Sequence, residues 1–470
     1  MMSFVIILEE DVKMLINFSI SNYKSYRYKN NVSFVASKIK QYEDSNISLI
    51  DSTLLTKNRI LNSLLFVGAN SAGKTNMLKA ISYARYLILN SANAMKDKEN
   101  IFEDPDIFMF DEKAINEPTS FEFEFTLDGA EEVLYYYNFS FCNKEILYEY
   151  LAKRETNDKG RLSSKKVLFE RSGDKLIKAS EQFIKLSNVF DLNASVLFLS
   201  NCNGNIKDEM CPDGKAVIKW FLDIKSANRN NNSLDIYDDN PEYLEIANKI
   251  LSYSDKSIKG LRFEKRKLDL GVLDYKNPDA VLKALNASNV RNVGGSLRLS
   301  EDGLYVYDIK MSFDKKKEKG EIEKLELSIF DDSYNISSGE QKLILYLAPI
   351  IKTLKEGGLL LIDEVETALH YYYAQLLLNL FNNNVTNSKR GQAIITTHNV
   401  KLLDEGLRVD QIFTVSKDEN SVSVALPLAK TDNKSPRKVH KLSERYLEGL
   451  YGSVPDINIE KVKELFRSVN

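Results

Sequence analysis

Residues 68–75 read Gly-Ala-Asn-Ser-Ala-Gly-Lys-Thr, which fits the pattern G-x-x-x-x-G-K-[ST]. An apolar segment from Asn58 to Val67 precedes this loop, and apolar residues at helical spacing follow it from Asn76 to Leu89. A glycine-rich loop between a strand and a helix can bind phosphate through its backbone N–H groups and the positive end of the helix. We therefore expect the loop to bind ATP through Gly68, Asn70, Ser71, Ala72, Gly73, Lys74, Thr75 and Asn76.

Four side chains, two in the loop and two at the end of a later strand, supply the chemistry that this loop predicts. Lys74 is expected to neutralise the β- and γ-phosphates, and the hydroxyl of Thr75 to ligate Mg²⁺. The apolar run Leu359–Ile362, typical of a central parallel strand, ends in Asp363 and Glu364. We expect Asp363 to hold the metal, directly or through a water, and Glu364 to act as general base. Two acids at the end of a strand would by themselves be typical of a solvated strand end. Because the same chain also contains the glycine loop, we favour the catalytic interpretation.

The small-residue motif Ser337–Glu340, Ser-Ser-Gly-Glu, precedes the amphipathic helix predicted over Gln341–Leu354. Small residues at a helix N-terminus form a corner that can bind an anion. The same pattern is typical of a helix N-cap followed by a capping box, and both interpretations can hold together. The residues predicted to contact ATP here are Ser337, Ser338, Gly339 and Glu340.

His398 follows the buried strand predicted over Ala393–Thr397. A lone histidine is usually structural, but one at a strand end beside the terminal phosphate can hydrogen-bond that phosphate and respond to its hydrolysis. We therefore assign His398 a catalytic role next to Glu364.

Composition restricts the class of protein. The 470 residues are 43% hydrophobic and 28% charged, and the formal net charge is -3. These values are ordinary for a globular protein. The net charge does not predict a nucleic-acid partner, so any contact with nucleic acid would need a local basic patch. Three scattered cysteines and three scattered histidines argue against a disulfide framework and against a zinc site.

The chain also lacks the signals of export and membrane insertion. No segment approaches the roughly 18 to 20 apolar residues that span a bilayer. The residues before Met14 have no basic leader or cleavage pattern, and Met14 precedes a well-formed strand, so we take it as the natural start. The expected location is the cytoplasm, with no membrane partner.

The order of patterns predicts an α/β protein with a mixed central sheet, a flanking antiparallel β section and a mainly helical insertion. Strict alternation at Phe121–Phe125, continued by Val133–Phe141 and Ile146–Tyr150, gives the β section. The predicted division is 14–156 for the N-terminal part of an ATPase head, 157–320 for an inserted lid or arm, 321–430 for the C-terminal part of the head and 431–470 for a tail.

The predicted insertion differs in composition from the rest. It is rich in lysine and asparagine, with helical patterns near Val217–Phe221 and Tyr243–Leu251 and an exposed polar loop at Asn228–Asn232. Its basic clusters, Arg262–Lys267 and Lys315–Lys319, are either solvated surface or contacts to a phosphate backbone.

Taken together, the motif order resembles ATPases with ABC-type heads, namely the SMC, RecF and OLD relatives. Asn22–Tyr26 resembles their N-F-[KR]-S-F element, which implies that Lys24 and Ser25 contact the nucleotide. Ile336–Glu340 is similar to the ABC signature L-S-G-G-[QE], with serine in place of the first glycine. Asp363–His370 resembles the D-E-x-E-x-x-L-H-P element, except that a tyrosine stands where the proline is expected.

More narrowly, the chain resembles ATPases of the RloA and AbiL type, which include AriA of the PARIS system. The matching features are the β section, the Ser-Ser-Gly-Glu-Gln signature and the ending Arg445–Pro455. This resemblance implies bacterial anti-phage defence, with a separately encoded toxin or TOPRIM-type nuclease as effector and a phage protein as a trigger. It also implies a homodimer or higher homo-oligomer in which ATP lies between the glycine loop of one head and Ser337 and Gly339 of the other.

The sequence favours this function over a nuclease, an ATPase that acts directly on DNA and a transporter subunit. A TOPRIM nuclease domain needs on the order of 100 residues with clustered acids, and residues 399–470 contain no D-x-D cluster, so we expect any cutting activity in a partner. The main alternative is a RecF- or SMC-like ATPase that acts directly on DNA in repair or maintenance, which the net charge does not favour. A transporter ATPase subunit is disfavoured because the β section and the insertion do not fit a compact transporter head.

Overall fold

The computed structural model describes residues 13–49, 59–96, 98–102, 106–128, 132–156, 163–204, 206–227, 234–268, 295–300, 303–318, 320–331, 336–367, 369–431, 441–452 and 459–468. The predicted polar loop at 228–232 and the segment 1–12 before the expected start lie outside the described residues.

The strands are β1 (Lys13–Ser21), β2 (Asn30–Ser33), β3 (Ile47–Leu49), β4 (Arg59–Leu61), β5 (Ser63–Val67), β6 (Thr119–Asp128), β7 (Glu132–Cys142), β8 (Glu145–Glu155), β9 (Lys166–Ser172), β10 (Lys175–Ala179), β11 (Lys225–Ala227), β12 (Ile258–Leu268), β13 (Ser296–Ser300), β14 (Gly303–Lys316), β15 (Ile322–Ser328), β16 (Leu359–Ile362), β17 (Gln392–Thr397), β18 (Ile412–Lys417) and β19 (Ser423–Pro427).

The α-helices are α1 (Glu43–Asn46), α2 (Lys74–Lys96), α3 (Glu181–Ser187), α4 (Pro212–Leu222), α5 (Asp235–Asp239), α6 (Pro241–Ser254), α7 (Ser338–Glu356), α8 (Tyr371–Phe381), α9 (Leu428–Thr431), α10 (Leu442–Leu447) and α11 (Ile459–Ser468). Short 3₁₀ helices occur at Glu112–Asn116, Phe198–Asn203, Asp208–Met210 and Val400–Asp404.

The chain divides into two compact units, and each contains more than one segment. Unit 1 comprises Met1–Ile224, Gly357–Val365 and Leu378–Asn470, and unit 2 comprises Lys225–Glu356 and Glu366–Leu377. Unit 2 therefore begins later than the insertion predicted from 157. The physical reason is that β9 and β10, which follow residue 157, continue an antiparallel sheet of unit 1.

The central sheet of unit 1 has the strand order β16-β17-β5-β18-β19. The first four strands are parallel to one another, and β19 runs antiparallel to β18. All residues of β5, β16 and β17 are buried, which explains why their sequences do not alternate between apolar and polar residues. The predicted α/β class with a mixed central sheet is confirmed.

A second sheet of unit 1 is the predicted antiparallel β section. Its seven strands have the order β10-β9-β8-β7-β6-β1-β2. The alternating phenylalanines of β6 face the core, where Phe123 lies opposite Tyr137 and Phe125 opposite Tyr135. The ring of Phe125 stacks on Trp220 of α4 with 4.1 Å between ring centroids. Alternation in the sequence thus becomes one aromatic face and one polar face.

Unit 2 contains an antiparallel sheet in which β14 pairs with β12, β13 and β15. The basic cluster Arg262–Lys267 forms part of β12, so it lies on a strand. Arg262 forms ion pairs with Glu264 and Glu326 at 2.7 Å, and Lys265 pairs with Asp238 at 2.7 Å. These partners favour the solvated-surface interpretation of the cluster over a phosphate contact.

Within the described residues, the structure contains no helix whose length and apolar character would suit it to cross a membrane.

Candidate nucleotide-binding site

The register of the central sheet brings the predicted site residues of unit 1 to one edge. Ile362 of β16 lies opposite Ile395 of β17, and Thr397 of β17 lies opposite Val67 of β5. Because these strands are parallel, the residues that follow their carboxyl ends meet at the same edge. The glycine loop follows β5, the two acids follow β16 and His398 follows β17, so all of them lie at this edge of the sheet.

The glycine loop has little space for side chains at two positions. A Cβ on Gly68 would lie 2.2 Å from the carbonyl oxygen of Val415. Gly73 has a φ of +114°, and a Cβ there would lie 2.4 Å from Oγ of Ser423. The loop is further fixed by hydrogen bonds from Ser423 Oγ to the Ala72 carbonyl at 2.6 Å and from the Tyr26 hydroxyl to the Gly73 carbonyl at 3.1 Å. Gly68 is therefore required by a close approach of backbone, and Gly73 by its positive φ and by the side chains that lie against it.

Lys74, at the first position of α2, points back into the loop. Its ammonium group donates to the carbonyls of Gly68 at 2.8 Å and Ala69 at 3.0 Å. The same Nζ lies 3.2 Å from Nδ1 of His398. Lys74 is buried, and its ammonium lies inside the loop that the motif predicts to hold phosphate.

Asp363 lies between two hydroxyl groups. Thr75 Oγ1 donates to its Oδ1 at 3.0 Å, and Thr396 Oγ1 donates to the same oxygen at 2.7 Å. Hydroxyl and carboxylate oxygens are ligands that suit Mg²⁺, which keeps several waters and binds proteins through one or two carboxylates plus substrate phosphates. Thr75 and Asp363 therefore fit the predicted metal, with no need for a larger cluster of protein ligands.

Glu364 and His398 face each other. Oε1 of Glu364 lies 3.6 Å from Nε2 of His398, and both side chains are about one-third to one-half exposed. The backbone of Glu364 has a φ of +47°, a left-handed conformation that non-glycine residues rarely adopt. Its N–H donates to Thr396 Oγ1 at 2.7 Å. A residue held in such a conformation at a site of this kind is a candidate for a chemical role.

Lys24 and Ser25 lie on the other side of the loop. Ser25 Oγ accepts a hydrogen bond at 2.8 Å from Nδ2 of Asn76, the residue that directly follows the phosphate-binding motif. Lys24 forms an ion pair with Asp106 at 2.6 Å. All four residues line a cavity of about 740 Å³, which is large enough for a nucleoside.

The Ser-Ser-Gly-Glu motif lies in unit 2, where it begins α7. The N–H of Gly339 donates to Ser337 Oγ at 3.3 Å, and the N–H of Gln341 donates to the Ser337 carbonyl at 3.1 Å. Ser337 thus has the contacts of a helix N-cap, as one of the two interpretations predicts. Ser337 and Ser338 are exposed, and burial raises the pKa of the half-buried Glu340. The contact of this motif with a nucleotide stays a prediction.

Two residues that contact the site, Thr396 and Ser423, are not among those predicted from the sequence. Ser423 lies on β19, far from the motifs along the chain, and no local pattern indicates it. Thr396 did leave a signal, because two threonines directly follow the apolar residues Ala393–Ile395 at the end of the predicted strand. In a parallel sheet, polar residues at the end of a strand beside the Asp-Glu strand are expected to meet those acids.

Comparison with known proteins gives a family match and two structural similarities. The family described as "AAA domain, putative AbiEii toxin, Type IV TA system" matches residues 64–201 and 226–404. A search of curated proteins found no match. Among solved structures, an SMC head domain from Thermotoga maritima is 15% identical, covering 88% of this chain and 98% of that chain with a TM-score of 0.35. An SmcHead bound to the C-winged helix domain of ScpA is also 15% identical, covering 88% and 96% with a TM-score of 0.38.

Proposed function

This chain belongs to the AAA-domain family whose description names the AbiEii toxin and a type IV toxin–antitoxin system, and on that premise we propose that it binds ATP with Mg²⁺ and hydrolyses it. One observation carries the proposal. The ammonium of Lys74, the Thr75–Asp363 pair and the Glu364–His398 pair lie together at the ends of three adjacent parallel strands. That arrangement supplies a phosphate cradle, oxygen ligands for a divalent cation and a base.

Binding of ATP would exchange the partners of Lys74. In the structure its ammonium donates to two carbonyls of its own loop, and phosphate oxygens would accept those hydrogen bonds instead. The backbone N–H groups at the start of α2 and the positive end of that helix add further favourable interactions with the phosphates. The bound Mg²⁺ would neutralise charge on the phosphate oxygens, with Thr75 and Asp363 as its protein ligands.

The adenosine part of ATP fits the cavity beside Ser25 and Asn76. The ring of Phe110 is 67% exposed in the wall of this cavity, which offers a face on which a base could stack. The ammonium of Lys417 lies 5.3 Å from the centre of the same ring. The predicted nucleotide contacts of Lys24 and Ser25 are compatible with this location, since both line the cavity.

Hydrolysis would use Glu364 as general base. Its carboxylate is half exposed at the strand ends, so a water between it and the terminal phosphate could transfer its proton to Oε1 during attack. His398 contacts both Lys74 and Glu364, and its imidazole is therefore well located to hydrogen-bond the phosphate that leaves. These are the roles that the sequence predicts for the two residues.

We further propose that ATP joins two copies of the chain. The exposed Ser337 and Ser338 at the N-terminus of α7 support this, because exposed small residues at a helix start can bind the phosphate of a nucleotide held by another subunit. ATP-dependent association would then control a separately encoded toxin or nuclease in anti-phage defence. The toxin–antitoxin description of the family is compatible with such a two-component arrangement.

The alternative is direct action on DNA, as in RecF- or SMC-like repair ATPases. The ion pairs of the Arg262–Lys267 cluster and the net charge of -3 do not favour it. A duplex affinity that falls steeply and linearly with salt concentration on a log–log plot would favour it instead.

The proposal is tested with purified full-length protein. Mg²⁺-dependent phosphate release from ATP, together with an ATP-dependent increase in size in gel filtration, is the expected result. The variant Ser337→Arg should bind ATP normally but fail to associate or hydrolyse. No turnover by the wild-type protein would overturn the ATPase proposal, and normal turnover by Ser337→Arg would overturn the role of the second subunit.

A further inference from the structure

Thr396 lies at the centre of the site without being one of its predicted residues. It is fully buried in β17, next to the carboxyl end of β16, and lies opposite Phe66 of β5. It therefore occupies the strand between the one that leads to the acids and the one that leads to the glycine loop. Its hydroxyl and its carbonyl both make hydrogen bonds to the Asp363–Val365 segment.

The directions of these hydrogen bonds follow from the donors. The N–H of Glu364 can only donate, so Oγ1 of Thr396 accepts it at 2.7 Å. The single hydroxyl proton of Thr396 is then left to donate to Oδ1 of Asp363, also at 2.7 Å. Thr75 donates a second hydroxyl to the same oxygen at 3.0 Å. One hydroxyl thus connects the expected metal ligand to the expected base.

The carbonyl of Thr396 adds a third connection. It accepts the N–H of Val365 at 3.1 Å, so the amides at the start and at the end of Glu364 are both bound by Thr396. Glu364 needs such support because its φ of +47° is unfavourable for a residue with a Cβ. The conformation points its carboxylate toward His398, where Oε1 lies 3.6 Å from Nε2.

We propose that Thr396 is a positioning residue that orients Asp363 and Glu364 together, and this inference rests on the ATPase function proposed above. A buried hydroxyl that only satisfied local hydrogen bonds would affect stability alone. A hydroxyl that orients both acids affects cation binding through Asp363 and turnover through Glu364, while the contacts of the nucleotide with the glycine loop stay intact.

Two substitutions separate these roles. Thr396→Val keeps the shape of the side chain but removes the hydroxyl, and Thr396→Ser keeps the hydroxyl. Thr414→Val is the matched control, because Thr414 is a buried threonine of β18 in the same sheet whose hydroxyl donates to the Leu426 carbonyl. Measurements are kcat and KM for ATP, Mn²⁺ affinity by electron paramagnetic resonance with a non-hydrolysable ATP analogue, and thermal unfolding.

For Thr396→Val we expect kcat and Mn²⁺ affinity to fall by about 10- to 100-fold, the usual effect of losing a partner of a metal ligand, with KM changed far less. Thr396→Ser should retain most of both, and Thr414→Val should match the wild type. Wild-type kcat and Mn²⁺ affinity in Thr396→Val, or equal loss in Thr396→Ser, would overturn the inference. If Thr396→Val does not fold, Thr396→Ala replaces it in the same comparison.

Failure of the proposed function has a different signature. A wild-type protein that does not hydrolyse ATP would overturn the ATPase proposal, and the Mn²⁺ affinities of the Thr396 variants would then decide the positioning role of Thr396 by themselves.

Discussion

Nζ of Lys74 lies 3.2 Å from Nδ1 of His398. An ammonium group has only donors, so this contact requires Nδ1 to accept and leaves the imidazole proton on Nε2. Nε2 lies 3.6 Å from Oε1 of Glu364. The lysine of the glycine loop therefore selects the tautomer of the histidine that faces the expected base.

This relationship predicts a rate effect for His398→Ala. Loss of the imidazole removes a group that contacts both Lys74 and Glu364, so kcat should fall by roughly 10²-fold or more, in the range for general acid–base groups. The affinity for ATP should change less, because the ammonium of Lys74 and the backbone N–H groups of the glycine loop are left in place for the phosphates. Steady-state phosphate release measures kcat, and binding of a fluorescent ATP analogue measures the affinity. His370→Ala is the control, since His370 is exposed and lies in unit 2, and equal loss in both variants would contradict the assignment.

Glu364→Gln should separate binding from turnover. The amide keeps the size of the side chain but cannot accept a proton from water, so turnover should fall by roughly 10²- to 10⁴-fold. ATP should still bind, since Lys74 and the loop are unchanged. Gel filtration with ATP is expected to detect an accumulated larger species. Full ATP occupancy without a change in size would contradict ATP-driven association.

The conformation of the glycine loop predicts a strong effect of Gly73→Ala. Its φ of +114° disfavours any side chain, and the new Cβ would lie 2.4 Å from Ser423 Oγ and 2.9 Å from Ser25 Oγ. The loop must shift, and the affinity for a fluorescent ATP analogue should fall at least about tenfold, or 1.4 kcal/mol.

Gly173→Ala is the matched control for that loop. Gly173 also has a positive φ, +55°, but nothing lies within 4 Å of its Cβ position. The Gly173→Ala variant should lose about 1 kcal/mol of unfolding free energy through backbone strain. Its affinity for ATP should equal that of the wild type. Equal ATP affinities in both alanine variants would exclude crowding at Gly73 as a determinant of binding.

The ion pair between Arg171 and Glu149 is fully buried in unit 1, with 2.8 Å between Nε and Oε2. Glu149 also accepts the N–H groups of Phe198 and Leu199. Arg171→Met would leave this carboxylate without its cation, and such losses cost about 3–5 kcal/mol of unfolding free energy. Urea denaturation measures the change. The exposed Lys29–Glu122 pair offers the control, where Lys29→Met should change stability little.

Glu340 predicts a pH-dependent stability. Burial raises its pKa above the ordinary value of 4.5, and the nearby Asp255 raises it further. A raised pKa means that the folded state binds the proton more tightly, so this contribution is present below pH 4.5 and is lost as the pH rises through the folded value. The unfolding free energy of Glu340→Gln relative to the wild type should therefore increase with pH above 4.5. A difference that is constant with pH would contradict this.

Sequence patterns predicted the glycine loop, the central strands and the acids because each is a local signal. The apolar parts of β5, β16 and β17, which are Leu64–Val67, Leu359–Ile362 and Ala393–Ile395, are short and uninterrupted, as is typical of buried parallel strands. The role of Thr396 could not be predicted in the same way, since it depends on register with a strand from another part of the chain. The boundary of unit 2 at 225 was also hidden, because β9 and β10 carry no local mark of the sheet they join.

The strand order of the central sheet has a consequence for synthesis of the protein. β5 ends at Val67, but its neighbours on both sides are β17 and β18, which begin at Gln392 and Ile412. At about 5–20 residues per second, the ribosome needs on the order of tens of seconds to produce the first of these neighbours. During that time both edges of an apolar strand stay unpaired, which exposes the nascent chain to aggregation. Folding of the ATP-binding loop into its final surroundings must therefore wait until β17 and β18 have been synthesised, and chaperone supply is expected to affect the yield of active protein.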